Sequence, residues 1–333
     1  MDSSRERPKI ICLTPVKNES WILDRFLKAA SLWADHIIIA DQMSTDGSRE
    51  ICKKYEKVIL VDNDSEIFNE PERQKLLINE ARKIQGPRLL ITLDADEIFT
   101  PNVINSPEWE TILSVKAGTI IEFQWANLYS DLQNMWLDCF YPWGYMDDGA
   151  EHIGNKIHSA RIPIPRTSDR VRTHDIKVLH FQYTDWNRMA AKHRWYQCFE
   201  LVEKVNNPIA IFRRYHHMCD VSSRLQPIPQ KWISEYSKQE IDITSVFQQT
   251  MLPWEKTVLD YMDEYGISYF RHLNIWEINW CEIARKWERP NSEKYKDPRR
   301  KWEKVINKWL IKTQKKKNKF WIKQMEKLIG LFY

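Results

Sequence analysis

Glycine is scarce in this sequence, which contains only eight in 333 residues. The segment that follows the first predicted strand, residues 15–19, has none. Metal-dependent nucleotidyltransferases usually carry a glycine-rich phosphate loop at that place, so this lack argues against the class. Such enzymes also combine an α/β nucleotide site with two carboxylates, however, and a metal-dependent nucleotidyltransferase therefore stays as an alternative function.

Paired cysteines and long apolar runs are also missing. The six cysteines are scattered over positions 12, 52, 139, 198, 219 and 281, with no C-x-x-C pair and no Cys/His cluster at zinc-finger spacing. We interpret them as reduced thiols. The N-terminal residues contain no apolar leader segment, and nowhere do about 18 apolar residues follow one another. We therefore expect a cytoplasmic protein.

Charge of one sign is not in excess either. Fifty Lys and Arg residues against 46 Asp and Glu leave a net charge of +4, which does not indicate a nucleic-acid partner. The 43% of hydrophobic residues are enough to fill a core, so a folded globular protein is expected. The 16 tryptophans could stack on sugar rings, but large rings more often fill cores.

Between residues 9 and 100, short β-branched runs alternate with helical patterns, which is typical of parallel βαβ units. The apolar runs predicted as strands cover residues 10–14, 36–40, 58–61 and 89–93. Helices are predicted over residues 22–30, after Ser48, and from Pro71 onward. In sheets of this kind, ligands bind beyond the carboxyl ends of the strands.

The remainder of the chain has a different pattern. Residues 118–183 are β-rich and irregular, so mixed strands and loops are expected there. From residue 185 the pattern is helical, and one apolar face is formed by Trp186, Met189, Tyr196, Phe199 and Val202. Two amphipathic helices are predicted near residues 302–310 and 321–329, with a lysine-rich break at 315–319.

The strongest chemical signal is the pair Asp94 and Asp96, which follows the fourth predicted strand in the sequence Leu-Asp-Ala-Asp-Glu. Residues i and i+2 of an extended chain point the same way, so the two carboxylates converge and repel each other unless a divalent cation neutralises them. Oxygen ligands favour Mg²⁺ or Mn²⁺, which can stabilise a departing diphosphate. The competing interpretation is a solvated acidic turn that caps the next helix.

Polar residues also follow the first two predicted strands. These residues are Thr14, Pro15, Asn18, Glu19, Asp41 and Ser44. Asp41 is placed to accept hydrogen bonds from a ribose or base, whereas Asp46 and Ser48 are better explained as turn and capping residues. Arg73, on the third predicted helix, is expected to neutralise phosphate oxygens.

These motifs resemble the nucleotide-binding half of family 2 glycosyltransferases, which have the GT-A fold. The family's N-E is found at Asn18 and Glu19, its D-x-x-S-T-D-G at residues 41–47, and its D-x-D at residues 94–96. An Arg-Asn pair of the family is here Arg73-Gln74, so the second residue departs from the pattern. The resemblance implies an α/β fold, with a GT-A (Rossmann-like) domain and a mostly helical C-terminal extension.

The resemblance also implies roles for the site residues. A base and ribose pocket is expected from Thr14, Glu19 and Asp41, with Pro15, Asn18 and Ser44 beside them. Arg73 is expected at the pyrophosphate. The segment Asp94-Ala95-Asp96 is expected to hold Mn²⁺ or Mg²⁺ through Asp96, with Asp94 close to the donor ribose. Transfer is expected to invert the anomeric carbon, and a UDP-sugar is favoured as the donor.

An inverting transfer needs a general base, which typically contributes ~10²–10⁴-fold. The His-Glu pair of many relatives corresponds here to His174-Asp175, which makes Asp175 the first candidate. The rival candidates form the acidic cluster Asp147, Asp148 and Glu151. His180 follows an apolar run and resembles the family's histidine near the metal or pyrophosphate, although a buried core imidazole is an equal alternative.

The predicted organisation is a GT-A-like domain over residues 1–183 and a helical region over 184–333. Within the first, residues 9–100 are expected to bind the nucleotide-sugar and 101–183 the acceptor. The predicted reaction glycosylates a hydroxyl of a glycan or lipid-linked glycan, as in polysaccharide biosynthesis. A non-catalytic sugar-nucleotide-binding scaffold is the alternative. The basic C-terminal helices suggest peripheral contact with the inner face of a membrane, at ~1 kcal/mol per cation, or a homodimer contact.

Overall fold

The computed structural model describes residues 6–216 and 224–332, which form two compact units. The first unit extends to Asp185 and also takes in Arg224–Gln248; the second begins at Trp186 and resumes at Gln249. The five cysteines in the described part of the chain are free thiols, and Cys219 lies outside it. Within the same residues, no helix has the length and apolar character needed to cross a bilayer.

One mixed sheet forms the centre of the first unit. Its strands are β1 (Lys9–Val16), β2 (His36–Asp41), β3 (Val58–Asp62), β4 (Arg88–Thr92), β5 (Glu97–Phe99), β6 (Ile120–Leu128), β7 (Asn134–Met146), β8 (Arg170–His180) and β9 (Gln226–Pro227). The order is β3-β2-β1-β4-β7-β6-β8-β5, and β9 pairs with β7. The first four of these are parallel, which confirms the βαβ pattern; β6 and β8 are parallel, and the other pairs are antiparallel.

Eleven α-helices are present within the described residues, besides short 3₁₀ helices. They are α1 (Leu23–Ser31), α2 (Ser48–Cys52), α3 (Glu70–Ala81), α4 (Pro107–Ser114), α5 (Trp186–Val202), α6 (Pro208–Tyr215), α7 (Gln230–Ser237), α8 (Pro253–Tyr265), α9 (Trp280–Lys286), α10 (Lys301–Thr313) and α11 (Phe320–Ile329). The helix predicted after residue 185 and the two helices predicted on either side of the lysine-rich break are therefore confirmed. The first unit is thus an α/β fold of the GT-A type, and helices dominate the C-terminal part.

The parallel strands are apolar on both sides because helices cover both faces of the sheet. Ile10 and Cys12 of β1 belong to one core cluster together with Phe26 of α1. The intervening Ile11 belongs to a second cluster, together with Leu77 of α3. With both faces filled by helices, polar side chains are left to gather at the ends of the strands.

Residues 224–248 pack in the first unit, whereas the sequence prediction placed everything after residue 183 in one helical region. Tyr236 of α7 is buried, and its hydroxyl donates to the carbonyl oxygen of Phe99. Ile228, Ile241 and Ile243 fill the same core cluster as β1. Three isoleucines and one tyrosine spread over residues 228–243 do not form one helical or strand period, so no local pattern predicts that this segment packs on the sheet.

Asp147, one of the carboxylates predicted as a rival general base, holds the amino end of β4 to β7. Its side chain is 0% exposed and accepts from Arg82 at 2.8 Å and from Arg88 at 3.0 Å. Burial alone would raise the pKa of Asp147, but the hydrogen bonds from Arg82 keep that pKa below its ordinary value. The carboxylate is therefore charged and serves as a structural anion.

Replacing Asp147 with Ala is expected to lower the free energy of unfolding by ~3–5 kcal/mol, because two half-buried arginines lose their anion. Urea unfolding measures this loss. The matched control is Asp169→Ala, which breaks an exposed pair with Lys116 (2.6 Å) and is expected to cost less than about 1 kcal/mol. Because the pKa of Asp147 is lowered, its contribution to the free energy of unfolding is fully present above the ordinary pKa range of aspartate. That contribution is lost as the pH falls through the pKa of Asp147 in the folded protein. Equal losses in the two variants would contradict the assignment.

Candidate functional site

The polar residues that follow the parallel strands meet at the carboxyl edge of the sheet. Val16, Asp41 and Asp62 lie level with one another at the ends of β1, β2 and β3. Leu13 of β1 pairs with Thr92 of β4, and Asp94 follows two residues later. The structure therefore brings the predicted donor-binding residues to one edge.

Asp41 has a buried carboxylate oxygen at this edge that accepts no hydrogen bond from the described residues. Its side chain is 1% exposed, and Oδ2 accepts from the Ser44 amide at 3.2 Å and from Arg49 at 3.0 Å. Arg49 also contacts Asp62 at 2.7 Å. Within the described part of the chain, Asp41 Oδ1 is buried and has no hydrogen-bond donor. A buried carboxylate oxygen without a donor is costly, so this atom is suited to accept a hydrogen bond from a bound base or ribose.

Asn18 and Ser44 join the loops that follow β1 and β2. The Asn18 amide donates to Ser44 Oγ at 2.8 Å, and the Thr45 amide donates to Asn18 Oδ1 at 2.8 Å. Asn18 has a positive φ of 58°, a conformation that asparagine tolerates well. Asp46 accepts from the Ser48 amide at 3.0 Å, as in a turn, whereas the N-cap of α2 is Gly47 and has no side-chain cap hydrogen bond. These side chains shape the floor of the site by fixing the loops.

The other predicted residues of the first strand end have distinct surroundings. Thr14 is 0% exposed, and its Oγ1 lies 3.7 Å from Cys12 Sγ, so it supports the edge from the core. Pro15 and Glu19 are partly exposed. Glu19 Oε2 accepts from the indole N–H of Trp21 at 2.6 Å, which orients this carboxylate.

Arg161 is the main site residue that the sequence reasoning missed. Its guanidinium contacts Asp94 Oδ2 at 2.7 Å and Glu97 Oε2 at 2.5 Å. The Asp94 amide also donates to Glu97 at 2.9 Å. Glu97 was visible in the sequence as the last letter of Leu-Asp-Ala-Asp-Glu, but Arg161 comes from the irregular connection between β7 and β8. No pattern in the sequence around Arg161 predicts its contact with Asp94 and Glu97.

In this cluster, the excess of negative charge is compensated by Arg161. Glu97 is fully buried, and burial raises its pKa to about 7 against the opposing effect of Arg161. Burial would lower the pKa of Arg161, but the carboxylates of Asp94 and Glu97 raise it above its ordinary value. Arg161 is therefore a fixed cation that neutralises Asp94. The repulsion expected between Asp94 and Asp96 is relieved on the Asp94 side by a protein cation.

Asp96 faces His180 across the ends of β5 and β8. The Asp96 carboxylate is 5% exposed, and its Oδ2 lies 3.9 Å from His180 Nε2. His180 Nδ1 lies 2.7 Å from Asn127 Oδ1, an amide oxygen that can only accept, so Nδ1 carries the proton and Nε2 is the basic nitrogen. The strand register explains the meeting, because His180 pairs with Asn127 on β6 and lies opposite Glu97 on β5.

Asp96 and His180 would provide part of the coordination shell of a divalent cation. A separation of 3.9 Å is too long for a hydrogen bond but lies within the ~4.2 Å that two ligands, each ~2.1 Å from one ion, can span. Residues 6–216 and 224–332 contain no group of three or more His, Cys, Asp or Glu side chains arranged to hold a metal. Further oxygen ligands would therefore have to come from a bound substrate.

Arg73 and Ala95 complete the predicted donor set. Arg73 lies over the Phe68 ring, 5.2 Å from its centroid, and 3.9 Å from Glu70. Its Nε is buried and has no acceptor among the described residues. Ala95 is 2% exposed and packs in the core, so it acts as the spacer between Asp94 and Asp96.

The predicted general bases lie away from Asp96 and His180. Asp175 is exposed in the part of β8 that departs from its ladder with β6, and its amide donates to Glu108 of α4 at 2.9 Å. Asp148 is exposed beyond the end of β7, beside the amino end of β4, where it accepts from the Tyr145 hydroxyl. Glu151 lines a cavity of about 380 Å³ together with residues of α3. The contacts described for these three carboxylates do not include Asp96 or His180.

An aromatic wall, formed by Trp125, Tyr141 and Trp143, stands beside this pair. The Trp125 ring stacks on His180 at 4.6 Å and lies 4.5 Å from Tyr141, which in turn stacks on Trp143 at 5.1 Å. The Trp125 N–H donates to Glu97 at 2.9 Å. Trp125 and Tyr141 are partly buried and pack against the core cluster to which the buried Trp143 belongs.

Asp138 is a carboxylate close to the wall. It lies on β7 where the ladder with β6 is irregular between Gln124 and Ala126, and it is partly buried. Its Oδ1 accepts from the Cys139 amide at 2.8 Å. Burial raises the pKa of Tyr183, and the charges of Asp138 and Asp96 raise it further. Asp138 and Asp96 therefore act on the same phenol.

Comparisons with known proteins agree with this geometry for the first third of the chain. Residues 11–106 match the family model of Glycosyl transferase family 2. No curated protein matches the chain. Two solved structures of glucosyl-3-phosphoglycerate synthase from Mycobacterium tuberculosis, one with Mn²⁺, UDP and phosphoglyceric acid and one with phosphoglyceric acid, are 17% and 18% identical. They cover 36% and 37% of this chain, which spans less than half of theirs (43% and 44%), with TM-scores of 0.28 and 0.26. At such scores these two structures carry no argument.

Replacing Arg161 with Met is expected to lower the free energy of unfolding by ~3–5 kcal/mol, because the buried Glu97 loses its cation. The double variant Arg161→Met with Glu97→Gln is expected to recover most of this loss. The control Arg170→Met removes an exposed arginine from the buried Glu122, which keeps its pair with Arg172, and is expected to have a small effect. Urea unfolding measures all three, and additive losses in the double variant would contradict the coupling.

Proposed function

We propose that the chain is a metal-dependent, inverting glycosyltransferase with a nucleotide-sugar donor, because residues 11–106 match the family model of Glycosyl transferase family 2. The acceptor group is a hydroxyl. The observation that carries this proposal is the meeting of Asp96 with the basic nitrogen of His180, 3.9 Å apart at the carboxyl edge of the sheet.

The donor is proposed to lie along the ends of β1, β2 and β4. Asp41 Oδ1, buried without a donor, accepts a hydrogen bond from the base or ribose, and a UDP-sugar is the favoured donor. Arg73, whose Nε is buried without an acceptor, donates to the pyrophosphate. Glu19 completes the pocket, and Asn18 and Ser44 hold its loops in place.

A divalent cation, Mg²⁺ or Mn²⁺, would be held by Asp96 and His180. The carboxylate oxygen and the imidazole nitrogen suit such an ion, and the donor diphosphate would supply the remaining ligands. When bound, the ion supplies charge stabilisation to the diphosphate as it leaves. Asn127 fixes the His180 ring with Nε2 directed at Asp96, and that orientation does not depend on the ion.

We propose Asp138 as the general base of this reaction. The acceptor hydroxyl oxygen forms a bond to the anomeric carbon while its proton passes to the Asp138 carboxylate. The bond from that carbon to the β-phosphate oxygen breaks, and the diphosphate leaves with the electron pair. Attack from the face opposite the leaving group inverts the anomeric centre. Asp138 suits this role because it shares β7 with Tyr141 of the aromatic wall and because its charge, like that of Asp96, raises the pKa of the Tyr183 phenol.

The aromatic wall is proposed to bind the acceptor. Aromatic faces that are partly exposed pack against the C–H groups of sugar rings. Trp125 and Tyr141 border Asp138 and His180, so a sugar on this wall would place a hydroxyl near both. A glycan, free or attached to a lipid, is therefore the proposed acceptor class.

A non-catalytic sugar-nucleotide-binding protein is the second candidate function. It is favoured by one observation, the salt bridge that occupies Asp94 with Arg161 at 2.7 Å. Such a protein would bind the donor and would not transfer the sugar. Measurements of donor binding and of sugar transfer distinguish the two functions.

Donor binding is expected to stabilise the protein against heat in the presence of Mn²⁺. UDP, GDP, CDP and ADP are screened with and without the ion, and one nucleotide is expected to raise the melting temperature. Asp96→Asn removes the charged ligand and is expected to abolish the part of the shift that needs the ion. Asp148→Asn serves as the control at an exposed site. Silence with every nucleotide, or an unchanged Mn²⁺ effect in Asp96→Asn, would sink the donor site.

Asp138→Asn is expected to lower kcat by ~10²–10⁴-fold and to leave the donor-induced thermal shift intact, because only proton removal is lost. Asp175→Asn is the matched control, with the same chemical change at an exposed position. Sugar release and transfer from a UDP-sugar to a glycan acceptor are followed by product detection. Activity that survives in Asp138→Asn and disappears in Asp175→Asn would return the role of the base to Asp175.

A further inference from the structure

Helix α11 has one side that packs on its own unit. Ile322 is 0% exposed, and Ile329 packs on the small core formed by Ile209, Phe212 and Leu310. Glu326, between them, accepts from Arg213 at 2.7 Å. Residues 322, 326 and 329 have the i, i+4, i+7 spacing of one helix side. This side fixes the orientation of α11 and therefore fixes what the rest of the helix presents to solvent.

The neighbouring side of α11, about 100° further round the helix, is apolar and exposed. Phe320, Trp321, Met325 and Leu328 are 77%, 51%, 42% and 55% exposed. The last three again follow an i, i+4, i+7 spacing, and the turn after the helix adds Leu331 and Phe332 at 74% and 77%. We call these six residues the apolar face. Contiguous exposed apolar surface of this kind marks an interaction site.

The apolar face continues into a groove on α10. Trp302 and Ile306 of α10 line a cavity of about 430 Å³ together with Leu328, Ile329 and Phe332. Val305 and Ile311, also on α10, are 65% and 45% exposed. The two helices therefore present one apolar surface in the same unit, wider than a single helix.

Positive charge surrounds this surface. Residues 304–332 contain nine lysines and one acidic residue, and that residue, Glu326, is already paired with Arg213. Four of the lysines, Lys315, Lys316, Lys317 and Lys319, directly precede the helix. Lys323 and Lys327 lie within α11 itself. The partner must therefore be both apolar and anionic.

We propose that α11 and the preceding lysines bind an anionic membrane surface, with the apolar face inserted among the lipids. An amphipathic helix with aromatic residues on one side and lysines at its edges lies in the plane of the lipid interface, where tryptophan is favoured. A second copy of this chain fits less well, because two such surfaces would bring nine lysines against nine. This inference does not depend on the proposed donor site.

The test is cosedimentation of the full-length protein with vesicles. Vesicles of phosphatidylcholine alone are compared with vesicles that also contain phosphatidylglycerol, at low and high salt. Binding is expected only with the anionic lipid and is expected to weaken with salt. Phe320→Ser with Leu331→Ser is expected to lower the partition coefficient at least tenfold. Lys316→Gln with Lys317→Gln and Lys319→Gln is expected to lower it about a hundredfold at low salt.

Matched controls make the same chemical changes elsewhere. Phe247→Ser alters a 70% exposed aromatic residue of the first unit, and Lys53→Gln with Lys54→Gln and Lys83→Gln changes the net charge by the same amount. Both controls are expected to bind like the unchanged protein. All variants affect exposed side chains, so thermal unfolding is expected to stay unchanged and to show that they fold.

Three results would overturn the proposal. They are equal binding to neutral and anionic vesicles, no binding to either, and equal loss of binding in the controls. Analytical ultracentrifugation without lipid adds a further arm. A dimer that dissociates in Phe320→Ser with Leu331→Ser, together with an absence of vesicle binding, would assign the apolar face to a second copy of the chain.

Discussion

The arrangement of the site depends on the neutralisation of three carboxylates that lie within four residues. Asp94, Asp96 and Glu97 follow one strand, and such proximity is unfavourable unless positive charge is close. Arg161 supplies that charge to Asp94 and to the fully buried Glu97, at 2.7 Å and 2.5 Å. Asp96 also raises the pKa of Arg161, and its carboxylate faces His180. One acidic segment thus meets a buried guanidinium on one side and an imidazole on the other.

The second constraint is the register of the strands that surround this segment. His180 comes some 80 residues after Asp96, yet antiparallel pairing of β5 with β8 sets it opposite Glu97, and parallel pairing with β6 sets it beside Asn127. A shift of one residue would turn the imidazole to the other face of the sheet. The aromatic wall depends on the same ladders, because Trp125 stacks on His180 from β6.

Sequence reasoning predicted the parallel strands and the Asp94-Ala95-Asp96 segment because their signals are local: apolar runs and a fixed i, i+2 spacing. It also singled out His180, as a match to the family's histidine near the metal or pyrophosphate or, equally, as a buried core imidazole, but it did not predict the Asn127 contact that orients the ring. Arg161, Arg49 and Asp138 could not be found this way, since an arginine or an aspartate in a loop or an irregular strand is ordinary until tertiary structure supplies its partner. Residues 224–248 joined the first unit for the same reason, through Tyr236 and three separate isoleucines.

The salt bridge between Arg161 and Asp94 also bears on how the proposed donor would be held. Breaking a mostly buried pair to release Asp94 as a metal ligand would leave Arg161 and Glu97 with an altered balance of charge, at a cost of several kcal/mol. The pair is therefore expected to persist, with Asp96 and His180 as the protein ligands. Arg161, 5.0 Å from the Trp143 ring, then remains a fixed positive charge beside the site. A preorganised cation stabilises a developing anion without reorganisation, so Arg161 would assist the departure of the diphosphate even while it neutralises Asp94.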